Sequence, residues 1–347
     1  MSRIGVGMLA CLLASPAAAA DAVSFQGKTV SMIVGYAAGG GTDAFGRLSA
    51  SFLTNVLPGS PTVVVRNVPG AEGITAMNYF VQQVAPDGLT ITAAANTAAD
   101  PLNYRKPQSH YDPTRFEVIG GIGRGGTAIV ISKAAEKRLT DRQASPVAMG
   151  ALGGVQRSGM LMTTWGIELL GWNAKWVLGY RGTNELMLAL ERGEIDMTAT
   201  ANLFLLAKLL ESGNFKILVQ TGWQKNGRLV PRADFGDAPI LANMVEGKIG
   251  NPLAAKAFDY WGDIVAMDKW LALPPRSPAP MLATYRDAFA RMIRDPQFIE
   301  RGKAISDDFE PMSHEDVEGL IRRLGRTPPQ AVDYISDLLR KQGLEVQ

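Results

Sequence analysis

The chain has 347 residues, of which 46% are hydrophobic and 20% charged. That length gives room for two α/β domains with a buried core in each, and that balance excludes an intrinsically disordered protein. The net charge is only +2, from 35 basic and 33 acidic residues spread along the chain, so charge points to no nucleic-acid partner and no membrane-surface role.

Residues 1–20 read as an export signal. Met1-Ser2-Arg3 is a short positive start, residues 4–15 are an apolar stretch, and Pro16-Ala17-Ala18-Ala19-Ala20 offers small residues for cleavage. Cleavage is expected after Ala20, with Ala22 as the alternative. The apolar stretch is too short to span a bilayer comfortably. The only cysteine, Cys11, lies inside it. A lipid anchor on Cys11 would need a better preceding sequence than Met8-Leu9-Ala10. The mature chain then has no disulfide, no thiol nucleophile and no cysteine-based metal site. No later run reaches transmembrane length, so the mature protein is expected not to be membrane-embedded.

Short apolar runs then alternate with helical patterns, which predicts βα units on mainly parallel sheets. The first strand is expected at 30–36, followed by a glycine turn and a helix over 43–56 that Pro58-Gly59 ends. A strand at 62–67, a helix at 74–84 and a strand at 89–95 follow. A second set comprises strands at 146–152, 175–180, 195–201 and 215–221, with helices at 159–170, 184–192 and 203–211. Residues 116–132 are a candidate crossing between the sets, and 222–239 are a polar, turn-rich return. A strand at 270–273 and helices at 281–294, 316–324 and from Pro328-Pro329 to about 341 complete the chain. Two linkers between two halves favour a hinge that closes around a ligand.

The segment Gly35-Tyr36-Ala37-Ala38-Gly39-Gly40-Gly41-Thr42-Asp43 joins a strand to a helix. Glycines let the backbone turn sharply and bring its N–H groups close to a ligand. A helix start offers unpaired donors and a field that favours an anion. The bland alternative is a tight turn with an ordinary cap, but three consecutive glycines exceed what a turn needs. Thr42 or Asp43 is expected to cap the helix, since an inward-facing Asp43 would repel an anion. The loop Asn67-Val68-Pro69-Gly70-Ala71-Glu72-Gly73 has the same placement and reads equally as turn or site.

Residues 34–47 (VGYAAGGGTDAFGR), 64–73 (VVRNVPGAEG), 85–92 (APDGLTIT) and 177–196 (VLGYRGTNELMLALERGEID) resemble, in order, the Bug-type receptors of tripartite tricarboxylate transporters. So do 211–219 and 270–280, and the resemblance covers nearly all of the mature chain. It implies a two-lobed α/β periplasmic binding protein of type II, a Venus flytrap. Each lobe would be a mainly parallel sheet flanked by helices, with two crossing segments at a hinge. Residues 21–122 and 223–347 would form lobe 1, and 123–222 lobe 2.

In the family, backbone amides and hydroxyls of two first-lobe loops hold a carboxylate. Carried over, the contacts are Tyr36, Gly39, Gly40, Thr42 and Asp43, then Gly70 and Ala71, with Asn96 and Thr97 after the third strand. The second-lobe contacts would be Gly153, Gly154, Val155 and Ser158, and Tyr180, Arg181, Gly182 and Thr183. Here the chain departs from the family: no histidine follows the Gly153–Ser158 loop, and Gly179 stands where a proline is usual. Arg124, Arg157 or Arg181 would offer a charge to a second carboxylate; the alternative for each is a solvated surface arginine.

Other signals are weaker. Gly121-Ile122-Gly123-Arg124-Gly125-Gly126 matches a dinucleotide fingerprint in spacing, but a strand pattern follows where a helix is needed. His110 and His314 sit in no metal-binding spacing. The six tryptophans read as packing residues, and Asp307-Asp308 and Glu315-Asp316 as a turn and a helix start.

The expected function is therefore capture of a small carboxylate in the periplasm, for delivery to the subunits of a membrane transporter. A dicarboxylate, a tricarboxylate, an aromatic acid and an acidic amino acid all suit such a cradle. The chain is expected to act as a monomer, with no cofactor and no metal. The alternatives are a ligand-dependent sensor partner, whose cleft would look the same, and an exported hydrolase or lyase. The sequence has no G-x-S-x-G elbow and no H-E-x-x-H.

Overall fold

The computed structural model describes residues 23–151, 158–180, 183–225, 228–306 and 309–344. The chain opens with β1 (Thr29–Val34), α1 (Gly41–Val56), β2 (Thr62–Asn67), α2 (Ile74–Gln83), β3 (Thr90–Ala95), α3 (Pro101–Tyr104) and β4 (Glu117–Arg124). It crosses at 125–127 into β5 (Ala128–Ser132), β6 (Val147–Gly150), α4 (Met162–Leu170), β7 (Ala174–Val177), α5 (Thr183–Glu191), β8 (Met197–Thr200), α6 (Leu203–Glu211) and β9 (Phe215–Gln220). A small hairpin, β10 (Trp223–Lys225) and β11 (Arg228–Val230), leads to α7 (Leu241–Val245) and α8 (Pro252–Ala266). The last part is β12 (Met267–Leu273), α9 (Ala279–Met292), α10 (Pro296–Ile305), β13 (Phe309–Met312), α11 (His314–Gly325) and α12 (Pro329–Lys341).

These strands form two larger sheets. The first runs β13-β4-β12-β3-β1-β2, and the second β7-β6-β8-β5-β9. The chain thus leaves the first sheet after β4 and returns to it with β12, giving two lobes joined by two crossings. Parallel pairing holds for β1 with β2 and β3, and for β6 with β7 and β8. The remaining pairs in both sheets are antiparallel. Both sheets are therefore mixed. At the first crossing β4 runs straight into β5 of the other sheet, without the crossover helix that parallel pairing needs, whereas the return to β12 passes through the hairpin, α7 and α8.

β4 explains the glycine run that mimics a nucleotide fingerprint. A Cβ on Gly120 would stand 2.3 Å from the Phe289 ring, and one on Gly121 would stand 2.5 Å from the Lys269 carbonyl oxygen. One on Gly123 would stand 2.8 Å from the Ala266 carbonyl oxygen. The glycines let β12 and α9 approach this strand closely.

Two apolar clusters hold the molecule together. One lies on the α1, α9 and α10 side of the first sheet, around Met32, Phe45, Phe52, Tyr285 and Phe298. The other covers the opposite side of that sheet and continues into the second sheet, through Trp270, Trp261, Trp165 and Met197. One core thus runs through both lobes. Helix α12 seals it: its end follows α8, and Gln342 just beyond it bonds to the Trp176 Nε1 and to the Thr164 carbonyl. Trp165, Trp172, Trp261 and Trp270 are all buried, as packing residues should be.

Candidate functional site

The parallel strands β1, β2 and β3 end side by side, and each releases one of the three expected loops at that edge. Ends of parallel strands beside a change in sheet direction are where α/β proteins place ligands. Tyr36 ties the loops together: its phenol donates to the Glu72 carbonyl at 3.0 Å and meets Thr97 Oγ1 at 2.6 Å. Gly39, Gly40, Gly70 and Ala71 are exposed at this edge, Tyr36 and Thr97 are half-buried, and Thr42 and Asn96 are buried. Asn96 turns inward and donates to the Ile264 carbonyl at 3.1 Å.

The first loop is held by Asp43, though not as a helix cap. Gly40 is the N-cap of α1 and contributes no side chain, while Thr42 and Asp43 already lie inside the first turn. The expectation of a Thr42 or Asp43 cap is corrected accordingly. The glycine turn carries the chain into the helix one residue ahead of Thr42. Asp43 instead folds back to accept the Gly39 N–H at 2.9 Å, with Arg47 Nε at 2.9 Å and Asn67 Nδ2 at 2.8 Å. Those partners, the Arg47 hydrogen bond foremost, outweigh the opposing effect of burial and hold the Asp43 pKa near 2. Its carboxylate is therefore charged, buried and saturated. The N–H groups of Gly41, Thr42 and Asp43 open the helix with no acceptor inside it.

The second loop is strained. Gly70, Ala71, Glu72 and Gly73 have φ of 145°, 46°, 55° and 92° in succession. Two of them are not glycine, and left-handed backbone costs such residues about 1–2 kcal/mol each. The bonds from Tyr36 and Thr97 to the Glu72 carbonyl secure that shape. Strain of this kind is stored where a backbone must be presented in a fixed form.

Of the expected second-lobe contacts, Gly153, Gly154, Val155, Arg181 and Gly182 lie outside the described residues, as do Arg157 and Asp307-Asp308. Ser158 and Thr183 line a cleft of about 510 Å³ between the lobes. Tyr180 is half-buried and is not among its lining residues. Partial burial and the carboxylates of Glu194 and Glu185 raise its phenol pKa. Sequence reasoning missed Thr200 at the end of β8 and Asn202 just beyond it, Thr127 at the crossing, and Lys303 and Ser306 at the end of α10, all of which line the cleft. Position at the end of a strand paired in parallel was the available signal for Thr200 and Asn202. Arg124, at the end of β4, also lines the cleft and stands 3.6 Å from Asp268.

No group of three or more metal-ligating side chains occurs among the described residues. Nor is any helix among them long and apolar enough to cross a membrane.

Two helix-flanked sheets joined by two crossings define a two-lobed α/β fold of the periplasmic-binding-protein kind. A TctC solute-binding protein from Polaromonas shares the fold, with a TM-score of 0.66 and 18% identity over 90% of this chain and 98% of that one. The periplasmic binding protein BugD aligns with a TM-score of 0.50 and 23% identity, over 92% of this chain and 99% of its own. Residues 58–237 match the family model described as tripartite tricarboxylate transporter family receptor. The chain belongs to that receptor family. Among its relatives, a UPF0065 protein of Bordetella pertussis is 28% identical over 313 residues, 85% of each chain. A second UPF0065 protein, from Cupriavidus necator, is 26% identical over 62% of this chain and 66% of its own.

Proposed function

We propose that the protein is a periplasmic receptor that captures a small carboxylate and delivers it to the membrane subunits of a tripartite transporter. The observation that carries this reading is the charge of the cleft. Arg124 and Lys303 line it, together with the hydroxyls of Thr127, Ser158, Thr183, Thr200 and Ser306, and no acidic side chain is among the described lining residues. Such a surface suits an anion rich in acceptor oxygens and disfavours a cation. The open N–H groups at the start of α1 and the strained second loop, at the edge where β1, β2 and β3 end, form a second anion-favouring element.

In this reading residues 1–20 direct export and are removed. Residues 21–122 and 223–347 form the lobe that takes one carboxylate, on Tyr36, Gly39 to Asp43, Gly70, Ala71 and Thr97. Residues 123–222 close over the remainder of the ligand through the Gly153–Ser158 and Tyr180–Thr183 loops. A similarly folded protein of R. palustris, with a TM-score of 0.51 and 21% identity, was solved with adipate, which motivates linear dicarboxylates as first probes.

Thermal unfolding of the mature chain against a panel of carboxylates, with amines and neutral sugars as controls, tests the proposal. A ligand that binds only the folded state adds about 2.7 kcal/mol at a hundredfold excess over its dissociation constant. A midpoint shift confined to acids is the expected result. No shift with any acid, or shifts with neutral sugars alone, would sink the reading.

A further inference from the structure

Lys269 is the only lysine among the buried described residues, at 8% exposure. It lies on β12, between Ala95 of β3 and Ile122 of β4. Its ammonium pairs with Asp268, whose other oxygen faces Arg124 at 3.6 Å. Two cations thus share one carboxylate.

The lysine reaches toward the first ligand loop. A Cβ placed on Gly41 would lie 3.7 Å from Lys269 Cε and 3.8 Å from Nζ. The ammonium therefore stands beside the open N–H groups of α1, where the helix field is itself positive. A cation at that end of a helix is unfavourable unless an anion joins it. Asp43 is not that anion, because both its oxygens are held by Gly39, Arg47 and Asn67.

We infer that Lys269 is a specificity-determining residue of the ligand site, holding a ligand carboxylate against the start of α1, with Asp268 as its counter-ion in the empty state. The inference rests on the receptor reading above and deepens it. Arg124 lies on the same Asp268 and lines the inter-lobe cleft, so the charged row Lys269–Asp268–Arg124 connects the first-lobe loop to that cleft. Lys303 stands on the cleft wall as a further cation. Lys303 has no ion-pair partner among the described residues. Lys269 and Arg124, at two ends of that row, thus offer partners to two carboxylates, so the site selects dicarboxylates over monocarboxylates of the same length.

Calorimetric titration of the mature chain with adipate and with hexanoate, at low and high salt, tests this. Wild-type protein should bind adipate at least about tenfold more tightly than hexanoate, with the preference shrinking as salt rises. Lys269→Met keeps the buried alkyl volume and removes the charge. It should weaken both acids at least about tenfold, with an unchanged circular dichroism spectrum. Asp268→Asn frees the lysine and should tighten binding, which a merely structural role for the pair would not do.

If wild-type protein binds acids and Lys269→Met binds them equally well, the inference is overturned while the receptor reading stands. If Lys269→Met does not fold, Asp268→Asn decides: unchanged or weaker binding overturns the inference. If wild-type protein binds no small acid in the panel, the receptor reading itself falls and takes the inference with it.

Discussion

Asp43 lies just past the first loop and Asn67 opens the second, yet the Asn67 amide donates to the Asp43 carboxylate at 2.8 Å and to the Tyr36 carbonyl at 2.9 Å. This pair makes the first two loops one rigid unit. The first loop is set by Asp43 through Gly39, and the second begins at the residue that grips Asp43. Rigid presentation of backbone donors lowers the ordering cost of binding.

Replacing Asp43 with alanine should loosen both loops and lower stability by about 1–2 kcal/mol, allowing for the water that screens the half-exposed Arg47. Its pKa falls from 3.8 in an unstructured chain to about 2 in the folded one. The folded state therefore gains from the charged form. This contribution is complete above about pH 4 and disappears as pH drops through 2. Urea midpoints for wild type and Asp43→Ala should differ at pH 6 and converge toward pH 2. A gap that stays constant with pH would contradict the assignment.

Gly40 has φ −80° and ψ 167°, which any residue adopts, and a Cβ there would meet only the Ala37 carbonyl, at 3.6 Å. Gly40→Leu should fold with a thermal midpoint close to wild type. It should nevertheless weaken acid binding by about tenfold or more, because the side chain covers the open N–H groups of α1. Equal affinity in the two proteins would remove this loop from the site.

Gly121→Ala should destabilise by about 1–3 kcal/mol, because its Cβ meets a backbone oxygen that cannot move without breaking the β4–β12 pairing. Denaturant unfolding measures this directly. An unaltered midpoint would mean that the two strands tolerate a wider separation than the structure shows.

Trp261 on α8 donates from Nε1 to the Ser158 carbonyl at 3.0 Å. Ser158 lines the inter-lobe cleft, and Trp261 lines a smaller apolar cavity of about 70 Å³ beside it. Ligand capture should alter tryptophan emission, and Trp261→Phe should remove most of that change while costing about 1 kcal/mol of stability. A full-sized emission change in Trp261→Phe would place the reporter elsewhere.

Much of this was legible in the sequence because strand period and glycine punctuation are local signals. The helix expected at 203–211 is α6 as it stands, and the first two strands lie within a residue or two of expectation. The helices α8 and α10 were missed, although Asn251-Pro252 and Asp295-Pro296 are caps of the familiar kind, with side chains accepting from Leu253 and Gln297 at 2.8 Å. Lys269 was invisible for a different reason. A lysine inside the apolar run Met267–Leu273 takes its meaning only from Gly41, more than two hundred residues earlier, and nothing local predicts that approach. Asp43 was seen but misassigned, because its true partner, the Gly39 N–H, depends on where the helix begins.

The place of β12 in the first sheet governs how the molecule is made. It is inserted between β3 and β4, which share no pairing of their own, and it follows the whole second lobe in the chain. The opening 124 residues therefore emerge as an unfinished sheet with a gap at its centre. They stay open until the middle of the chain has been produced and residue 273 has passed. The second lobe in turn waits for α12, the last helix to appear. Neither lobe is completed by a continuous stretch of chain, so the packing of both depends on residues from the last third of the sequence.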